Sequence, residues 1–212
     1  MRIRASDLAC VRGAREVFRD VSFTVGSGEA LLVTGPNGAG KSSLLRLVAG
    51  LLRPAGGRID IEGGELDLTL GEQALYLGHL DALKPALLVR ENLAFWARFL
   101  GNGAVEQEPA LAAVGLSGLA HVPATYLSAG QRRRLALARL ISVKRAIWLL
   151  DEPTAALDAS GQEMLAGLLR THVSNGGIVL AATHGPIGLG KTMELCLGEK
   201  PMNRLVMDEQ SS

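Results

Sequence analysis

The sequence predicts an α/β fold with a mainly parallel core sheet, an antiparallel β portion and an inserted helical lobe. Short apolar strands alternate along the chain with stretches whose apolar residues recur at helical spacing, and this order produces a parallel sheet. A glycine-rich loop joins one of these strands, residues 30–34, to the helix that follows it. Residues 86–122 have helical spacing without a strand pattern, and they predict the lobe.

The first third of the chain contains the first strands and the first helix. Residues 21–25 alternate after a polar turn, whereas residues 30–34 form a continuous apolar run, which is typical of a buried parallel strand. Apolar residues then recur at helical spacing over residues 41–52, and the pattern stops at a segment rich in proline and glycine. Residues 57–78 return to strand-like alternation and end in an apolar strand at 74–77.

The last third supplies the remaining elements of the core. A helix follows Leu127, and an apolar strand over residues 146–150 follows that helix. A last helix over about residues 162–173 precedes a strand at 178–182. These elements continue the alternation of helix and strand that a parallel sheet requires.

The chain length of 212 residues fits a single domain, because one hydrophobic core rarely grows beyond about 250 residues. We predict that residues 1–79 and 128–207 form the core, including its antiparallel portion. Residues 80–127 are expected to form the helical lobe, and residues 208–212 a polar tail.

Composition and charge exclude several classes of protein. The formal net charge is +1, so the chain lacks the basic field that attracts nucleic acid. Its two cysteines, Cys10 and Cys196, are far apart and lack metal-ligand spacing, which argues against a disulfide framework or a zinc site. No apolar run approaches the roughly 20 residues that cross a bilayer, and no apolar segment follows the basic start. We therefore expect neither a membrane span nor a secretory signal.

Residues 35–42, GPNGAGKS, match the phosphate-binding pattern GxxxxGK[ST] and lie between a predicted buried strand and a helix. Such glycines let backbone N–H groups surround phosphates, and the helix N terminus adds a favourable dipole. Lys41 is expected to reach the β- and γ-phosphates of ATP, and the Ser42 hydroxyl to bind Mg²⁺. An ordinary glycine turn is the less favoured interpretation. The predicted nucleotide-binding residues of this loop are Gly35, Pro36, Asn37, Gly38, Ala39, Gly40, Lys41, Ser42 and Ser43.

An acidic pair follows the apolar strand at 146–150. Asp151 and Glu152 stand at its carboxyl end, which is where α/β sheets bind their ligands. Asp151 is expected to join the Mg²⁺ shell, and Glu152 to act as the general base that polarises the attacking water. Such a pair alone is more often a helix N-cap, and its combination with GPNGAGKS favours the catalytic interpretation.

Residues 127–131, LSAGQ, are followed by RRRLALARL and predict a second anion-binding site. Ser128 is a good N-cap residue, and Gly130 leaves backbone N–H groups accessible at a helix N terminus. In isolation, the same residues would be read more simply as a capped amphipathic helix with a basic face.

With these three motifs in this order, the chain resembles the ATP-binding subunits of ABC transporters along nearly its whole length. The resemblance implies ATP hydrolysis, with Mg²⁺ as the cofactor. It also implies that Ser128, Gly130 and Gln131 engage the γ-phosphate that an opposite subunit holds. Two copies of the chain are therefore expected to form a dimer.

The same resemblance assigns two further residues. Asp158, in AALD, resembles the D-loop aspartate that communicates between subunits. His184, in ATHG, resembles the histidine that contacts the γ-phosphate, although a lone histidine after a strand is usually structural. Lys41, Glu152 and His184 thus form the expected catalytic set.

Three positions depart from the family pattern. His79 stands where the family usually has a glutamine, and it could contact Mg²⁺ or water in its place. Arg12 stands where an aromatic residue usually stacks on adenine, and its planar guanidinium is expected to stack instead. Ala129 replaces a glycine, so its φ must be negative or its site must accept a small Cβ.

Three segments, YLGHLDALKPALLVRENLAFW, YLSAGQRRRLALARL and GGIVLAATHGPI, resemble the ATP-binding subunits of cytochrome c maturation systems. This narrower resemblance implies an ATPase of the haem-transporting class, peripheral to the cytoplasmic face of the inner membrane. It implies a CcmB-type integral membrane partner and, with it, further cytochrome c maturation proteins. Haem itself is not expected to bind the chain, because CxxCH is absent and the cysteines and histidines show no paired spacing.

The predicted lobe holds Phe95, Trp96 and Phe99, an unusual density in a chain with 4% aromatic residues. Because aromatic side chains are favoured interface anchors, we predict that the region near residues 80–100 docks on the membrane subunit. The alternative for Phe95 and Phe99 is that they pack inside the lobe's own core.

Two other functions would use the same catalytic residues. One is the ATPase of another exporter, for lipids or drugs, which only the membrane partner distinguishes. The other is a soluble ABC protein that acts on chromosomes or ribosomes, which needs a long coiled coil or two cassettes. The sequence has neither heptads nor a second GxxxxGK[ST] motif.

Overall fold

The structure is a computed structural model that describes residues 1–101 and 106–198. Residues 102–105 and 199–212, and with them the predicted polar tail, lie outside the described residues. The strands are β1 (Arg2–Arg12), β2 (Arg15–Gly26), β3 (Ala30–Thr34), β4 (Gly56–Glu62), β5 (Ala74–Leu77), β6 (Ile147–Asp151), β7 (Ile178–Ala182) and β8 (Met193–Cys196). The helices are α1 (Lys41–Val48), α2 (Leu70–Gln73), α3 (Val89–Phe99), α4 (Glu108–Ala113), α5 (Ala129–Ser142) and α6 (Ala159–Ser174).

The core sheet is parallel throughout, with the strand order β5-β6-β7-β3-β8. Its central strands β6 and β7 are buried at every position, which explains their continuous apolar sequences. Because all five strands run the same way, their carboxyl ends meet at one edge. Thr34, Leu77, Asp151 and Ala182 end their strands there, so the glycine loop, His79, Glu152 and His184 follow from the same edge.

A separate antiparallel sheet has the order β2-β1-β4 and packs beside the core sheet. Its inward residues Ile3 and Val25 join Leu45 of α1 and Leu149 of β6 in one buried apolar cluster. Burial of these side chains is what joins the two sheets, since each fully buried Leu, Ile or Val contributes about 1.5–3 kcal/mol.

The segment between β5 and α5 is helical and has its own apolar cluster. Leu93 of α3 and Leu111 of α4 pack there against Leu135 of α5, so the segment rests on the helix that follows it. The fully buried Asn92 holds the start of this helical segment in place. Its side-chain oxygen accepts a hydrogen bond from the Lys84 N–H, and its amide nitrogen donates to nearby backbone carbonyls. The predicted α/β class, with parallel and antiparallel sheets and an inserted helical segment, is confirmed.

Three elements differ from the sequence-based expectation. Helix α1 ends at Val48 rather than near residue 52, because Gly50 has a φ of 70° and the chain turns there. Helix α2 was not predicted; it is one turn closed by a capping box between Thr69 and Glu72. Strand β8 was also not predicted, because it is a half-exposed edge strand of four residues without a continuous apolar pattern.

A ring stack fastens α6 to the sheet. The imidazole of His172 lies parallel to the indole of Trp148, with ring centroids 3.7 Å apart. Burial lowers the pKa of the His172 imidazole, because the charged form loses its hydration. The neutral ring is therefore the form that fits the folded protein.

We expect the thermal stability to fall as the pH drops below the ordinary histidine range. The pKa of His172 is lower in the folded state than in the unfolded state, so the stability that the neutral ring contributes is complete above the unfolded-state pKa. This stability is lost as the pH falls from the unfolded-state pKa through the folded-state pKa. His172→Gln removes this titration, so its melting temperature should change less between pH 7.5 and pH 5, both set by buffer. His121→Gln, at an exposed position, is the control. Equal pH dependence in all three proteins would contradict the expectation.

Candidate active site

The glycine loop between β3 and α1 has a backbone that other residues cannot adopt without strain. Gly35 has a φ of 125°, and a Cβ there would meet the Leu197 carbonyl oxygen at 2.2 Å. Gly40 has a φ of 102° and caps α1, and a Cβ there would meet Val17 Cγ1 at 2.6 Å. Gly40 has no side chain that could accept a hydrogen bond from the start of α1. The first N–H groups of this helix are therefore left for a ligand.

Lys41 is the first residue of α1 and is buried under this loop. Its Nζ donates to the carbonyl oxygens of Gly35 at 2.7 Å and Pro36 at 3.3 Å. The same Nζ lies 3.2 Å from His184 Nε2, which comes from the end of β7. The structure thus brings two of the three predicted catalytic residues into direct contact.

Asp151, at the end of β6, is buried and faces α1. The Ser42 hydroxyl donates to its Oδ1 at 2.9 Å. The Tyr76 hydroxyl donates to its Oδ2 at 3.3 Å and accepts from Arg46 Nε at 3.2 Å. Burial raises the pKa of Tyr76, so the phenol stays protonated and remains a donor to the carboxylate.

Glu152 follows Asp151 and has a φ of 48°, an unusual backbone for a residue other than glycine. This conformation costs about 1–3 kcal/mol, and such strain persists only where surrounding contacts fix it. The backbone N–H of Glu152 donates to the Ala182 carbonyl at 2.9 Å. Its Oε1 lies 3.5 Å from His184 Nε2, so the third predicted catalytic residue lies beside the other two.

These groups surround one cavity of about 350 Å³. Its size and its polar walls suit a nucleotide phosphate chain, which needs donors and a buried cation close together. Gly35, Pro36 and Ala39 shape the loop without lining the cavity. The lining residues are Val17, Asn37, Gly38, Gly40, Lys41, Ser42, Ser43, His79, Asp151, Glu152 and His184.

The oxygens present also fit Mg²⁺. Ser42 Oγ and the buried Asp151 Oδ1 are 2.9 Å apart and face the cavity that Lys41 lines. Mg²⁺ usually takes only one or two protein ligands and completes its shell with water and substrate phosphates. Among the described residues, no cluster of three His, Cys, Asp or Glu side chains is arranged for a metal.

The LSAGQ segment lies in a second, separate cavity of about 360 Å³. Ser128 caps α5: its Oγ accepts from the Gln131 N–H at 3.2 Å, while Gln131 Oε1 accepts from the Ser128 N–H at 2.9 Å. This capping box leaves the Ser128 hydroxyl hydrogen and the N–H of Gly130 for another acceptor. Ser128, Gly130, Gln131 and Asp158 all line this cavity, as does Arg134.

Asp158 ties the starts of two helices together. Its Oδ1 accepts from the Gly161 N–H at 2.8 Å and so caps α6. Arg134 of α5 donates to the same oxygen at 2.9 Å. The hydrogen bond from the Gly161 N–H, and to a lesser extent the one from Arg134, lowers the pKa of Asp158. The carboxylate therefore stays ionised.

The three departures from the family pattern have different outcomes. Ala129 is the first residue of α5 and has helical backbone, so the expected negative φ is confirmed. His79 lines the cavity that contains Lys41, although its contact with Mg²⁺ stays a prediction. Arg12 ends β1 opposite Arg15, is exposed and does not line that cavity; Val17 of β2 does.

Sequence reasoning missed two residues that the structure brings to the site. Tyr76 stands beside Asp151 because β5 pairs with β6, an order that the sequence does not reveal. The sequence predicts Arg133 on the basic face of α5, yet the side chain is buried and contacts the backbone around Glu152. Local sequence offered no signal for the burial of Arg133, since the turn of α5 before it, residues 129–132, is not buried.

No helix among the described residues is long and apolar enough to traverse a bilayer.

The family model described as "ABC transporter" matches residues 18–155. A protein of Nitrobacter winogradskyi named "Cytochrome c biogenesis ATP-binding export protein CcmA" is 60% identical over 198 residues, which cover 93% of this chain and 98% of that protein.

Solved structures have the same fold. A putative ABC transporter ATP-binding protein from Pyrococcus furiosus superposes with a TM-score of 0.78 at 24% identity and covers 93% of this chain and 98% of that one. A dimeric ATP-binding cassette in a post-hydrolysis state, bound to ADP and Pi, has a TM-score of 0.73 at 26% identity, with 86% and 88% of the two chains covered. The chain belongs to the ABC transporter family, in the group of ATP-binding proteins of the CcmA type.

Proposed function

We propose that the chain is the ATP-hydrolysing subunit of a membrane complex that serves cytochrome c biogenesis, an ATPase of the haem-transporting class. The convergence of Lys41, Asp151, Glu152 and His184 on one cavity carries the proposal of ATP hydrolysis. The near-full-length identity to a protein named for cytochrome c biogenesis and export supports the process.

In the proposed reaction, each side chain acts where it now stands. Backbone N–H groups of Gly38 and of residues 40–43, together with the Lys41 ammonium, bind the β- and γ-phosphates of ATP. Ser42 and Asp151 would hold Mg²⁺, and the ion would supply positive charge to the phosphate oxygens. Glu152 takes the proton of the attacking water, and His184, 3.5 Å from Glu152, helps orient that water and the γ-phosphate.

The proposed catalytic unit contains two copies of the chain. Ser128 and Gly130 line a cavity that does not include Lys41, so a single copy presents two half-sites on separate parts of its surface. A head-to-tail pair would bring the Ser128 cavity of each copy against the nucleotide on Lys41 of the other. The dimeric cassette among the similar structures supports this arrangement.

Complementation tests the proposed process. A bacterium that lacks its own CcmA protein should regain haem-stained c-type cytochromes when it expresses this chain, and the purified chain should hydrolyse ATP. A CcmB-type membrane subunit should co-purify with the chain. Fractionation should place the chain at the cytoplasmic side of the inner membrane. The chain could instead hydrolyse ATP, co-purify with a different exporter subunit and restore no cytochromes. That result would contradict the proposed process but would leave the proposed ATPase activity standing.

An apolar groove of about 520 Å³ lies between the core sheet and α3, and we propose that the membrane subunit docks there. Leu80 and Phe99 project into it and are 79% and 69% exposed, so Phe99 does not pack in the lobe's core. Trp96 and Arg139 form its floor, with the guanidinium carbon 4.7 Å from the ring centroid. Burial lowers the pKa of Arg139 to about 10, which still leaves a cation at neutral pH.

Removing the two exposed apolar side chains should break this docking. Leu80→Ser with Phe99→Ser removes anchors that are worth about 2 kcal/mol each at interfaces, so recovery with the membrane subunit should fall at least about 10-fold. Trp96→Ala is a less clean variant, because Trp96 Nε1 also donates to the Ala82 carbonyl at 3.0 Å. Leu66→Ser, at a fully exposed leucine outside the groove, is the control. Undiminished co-purification of the double variant would refute the docking site.

A further inference from the structure

Arg133 of α5 is buried, with 3% of its side chain exposed, and all of its donors are used. An arginine has five N–H donors in a rigid planar fork. Nε donates to the Pro153 carbonyl at 3.3 Å, and Nη2 donates to the carbonyls of Asp151 at 3.1 Å and Glu152 at 2.6 Å. Nη1 donates to the Gly78 carbonyl at 3.1 Å and to Asp81 Oδ1 at 3.2 Å.

Three of these acceptors are consecutive carbonyls at the exit of β6. They belong to Asp151, Glu152 and Pro153, so the guanidinium fixes the backbone on both sides of the Glu152 Cα. That backbone has the left-handed φ of 48°, which determines where the Glu152 side chain projects. The position of the carboxylate beside His184 therefore depends on contacts made by Arg133.

The remaining two acceptors lie on the segment between β5 and α3. Gly78 immediately precedes His79, which lines the same cavity as Glu152. Asp81 supplies the only carboxylate that the guanidinium contacts among the described residues, and it neutralises the buried charge. One side chain of α5 thus joins the two loops that bound the catalytic cavity.

We propose that Arg133 is a positioning residue for the hydrolytic reaction: it holds Glu152 in register with His184, and Asp81 is its anchor. This role rests on the proposed ATP hydrolysis by Glu152. Arg133 does not reach the cavity itself, so it contributes nothing to nucleotide affinity and acts on the chemical step through the backbone.

Arg133→Lys is the discriminating variant, because it keeps the charge but offers three donors in place of a planar fork. It cannot bridge the β6 carbonyls and Asp81 at once. We expect kcat for ATP to fall by about 10²-fold, the loss typical of a displacement of about 1 Å. The KM for ATP should stay within about threefold, because binding groups are untouched.

A double variant separates positioning from general damage. When Glu152→Gln has removed the carboxylate, Arg133→Lys should cause no further loss in single-turnover hydrolysis, since the two residues act as a unit. Losses that multiply in the double variant, or a KM that rises with kcat unchanged, would overturn the proposal. Arg132→Lys on the same helix is the matched control, because lysine can still donate to the Leu127 carbonyl.

Asp81→Asn keeps the proposal testable if Arg133→Lys fails to fold. It preserves an oxygen acceptor and removes the charge that fixes the guanidinium, so kcat should fall by roughly 3- to 10-fold with KM unchanged. A kcat equal to that of the wild-type chain would overturn the role of Arg133. Absence of ATP hydrolysis in the wild-type chain would instead contradict the proposed function.

Discussion

Replacing Glu152 with glutamine should lower the rate of ATP hydrolysis by about 10²-fold or more, because general-base catalysis contributes at least that much. The amide keeps the size and the hydrogen-bonding reach of the carboxylate but cannot accept the proton of water. The phosphate-binding groups, Lys41 and the glycine loop, are unchanged, so ATP should bind as it does to the wild-type chain.

The same variant should accumulate as an ATP-bound dimer. If the γ-phosphate joins Lys41 of one copy to Ser128 of the other, hydrolysis is the event that releases the pair. Size-exclusion chromatography with Mg-ATP should therefore give a dimer for Glu152→Gln, whereas ADP should give a monomer. Chemical crosslinking provides an independent measurement of the same equilibrium.

Glu163→Gln is the control, since Glu163 is an exposed carboxylate on α6 that pairs with Arg170. It removes the same charge away from both cavities and should retain wild-type hydrolysis. A Glu152→Gln protein that hydrolyses ATP at the wild-type rate would show that the base is misassigned. One that stays monomeric with both nucleotides would argue against the two-copy site.

Gly35→Ala should destabilise the fold strongly. The new Cβ would approach the Leu197 carbonyl oxygen to 2.2 Å, and the φ of 125° lies outside the region that alanine adopts. Backbone strain of about 1–3 kcal/mol adds to about 1–3 kcal/mol for overpacking. The melting temperature should fall by about 10 °C, since each kcal/mol corresponds to about 2–4 °C in a domain of this size.

Gly38→Ala is the matched comparison in the same loop. Gly38 has a φ of 81°, but a Cβ there would meet no atom within 4 Å. Only the backbone strain remains, about 1–2 kcal/mol, so its melting temperature should fall by no more than a few degrees. If calorimetry gave the two variants equal melting temperatures, the close approach of Gly35 to Leu197 would not be a determinant of stability.

The fold was largely predictable because its core strands carry strong signals. The buried runs in β3, β6 and β7 and the helical spacing in α5 and α6 are continuous in sequence. Strand β8 and helix α2 were missed because neither has a periodic apolar pattern; β8 depends on pairing with β3, and α2 on one capping box. Local sequence does not encode such nonlocal support.

The candidate site divides in the same way. Lys41, Ser42, Asp151 and Glu152 follow from motifs at strand ends, and the structure places them around one cavity. Tyr76 and Arg133 became visible only with the strand order and the packing of α5, because their partners are distant in sequence. A basic residue in an amphipathic helix is normally solvated, so no sequence rule singles out Arg133 as buried.

The separation of the two cavities has a kinetic consequence. If neither half-site works alone, hydrolysis is second order in the chain at low concentration, and the specific activity should rise with protein concentration before it levels off. A membrane partner that holds two copies side by side would supply a high effective concentration, so the ATPase would run chiefly where the complex has assembled. Copies without a partner would then consume little ATP.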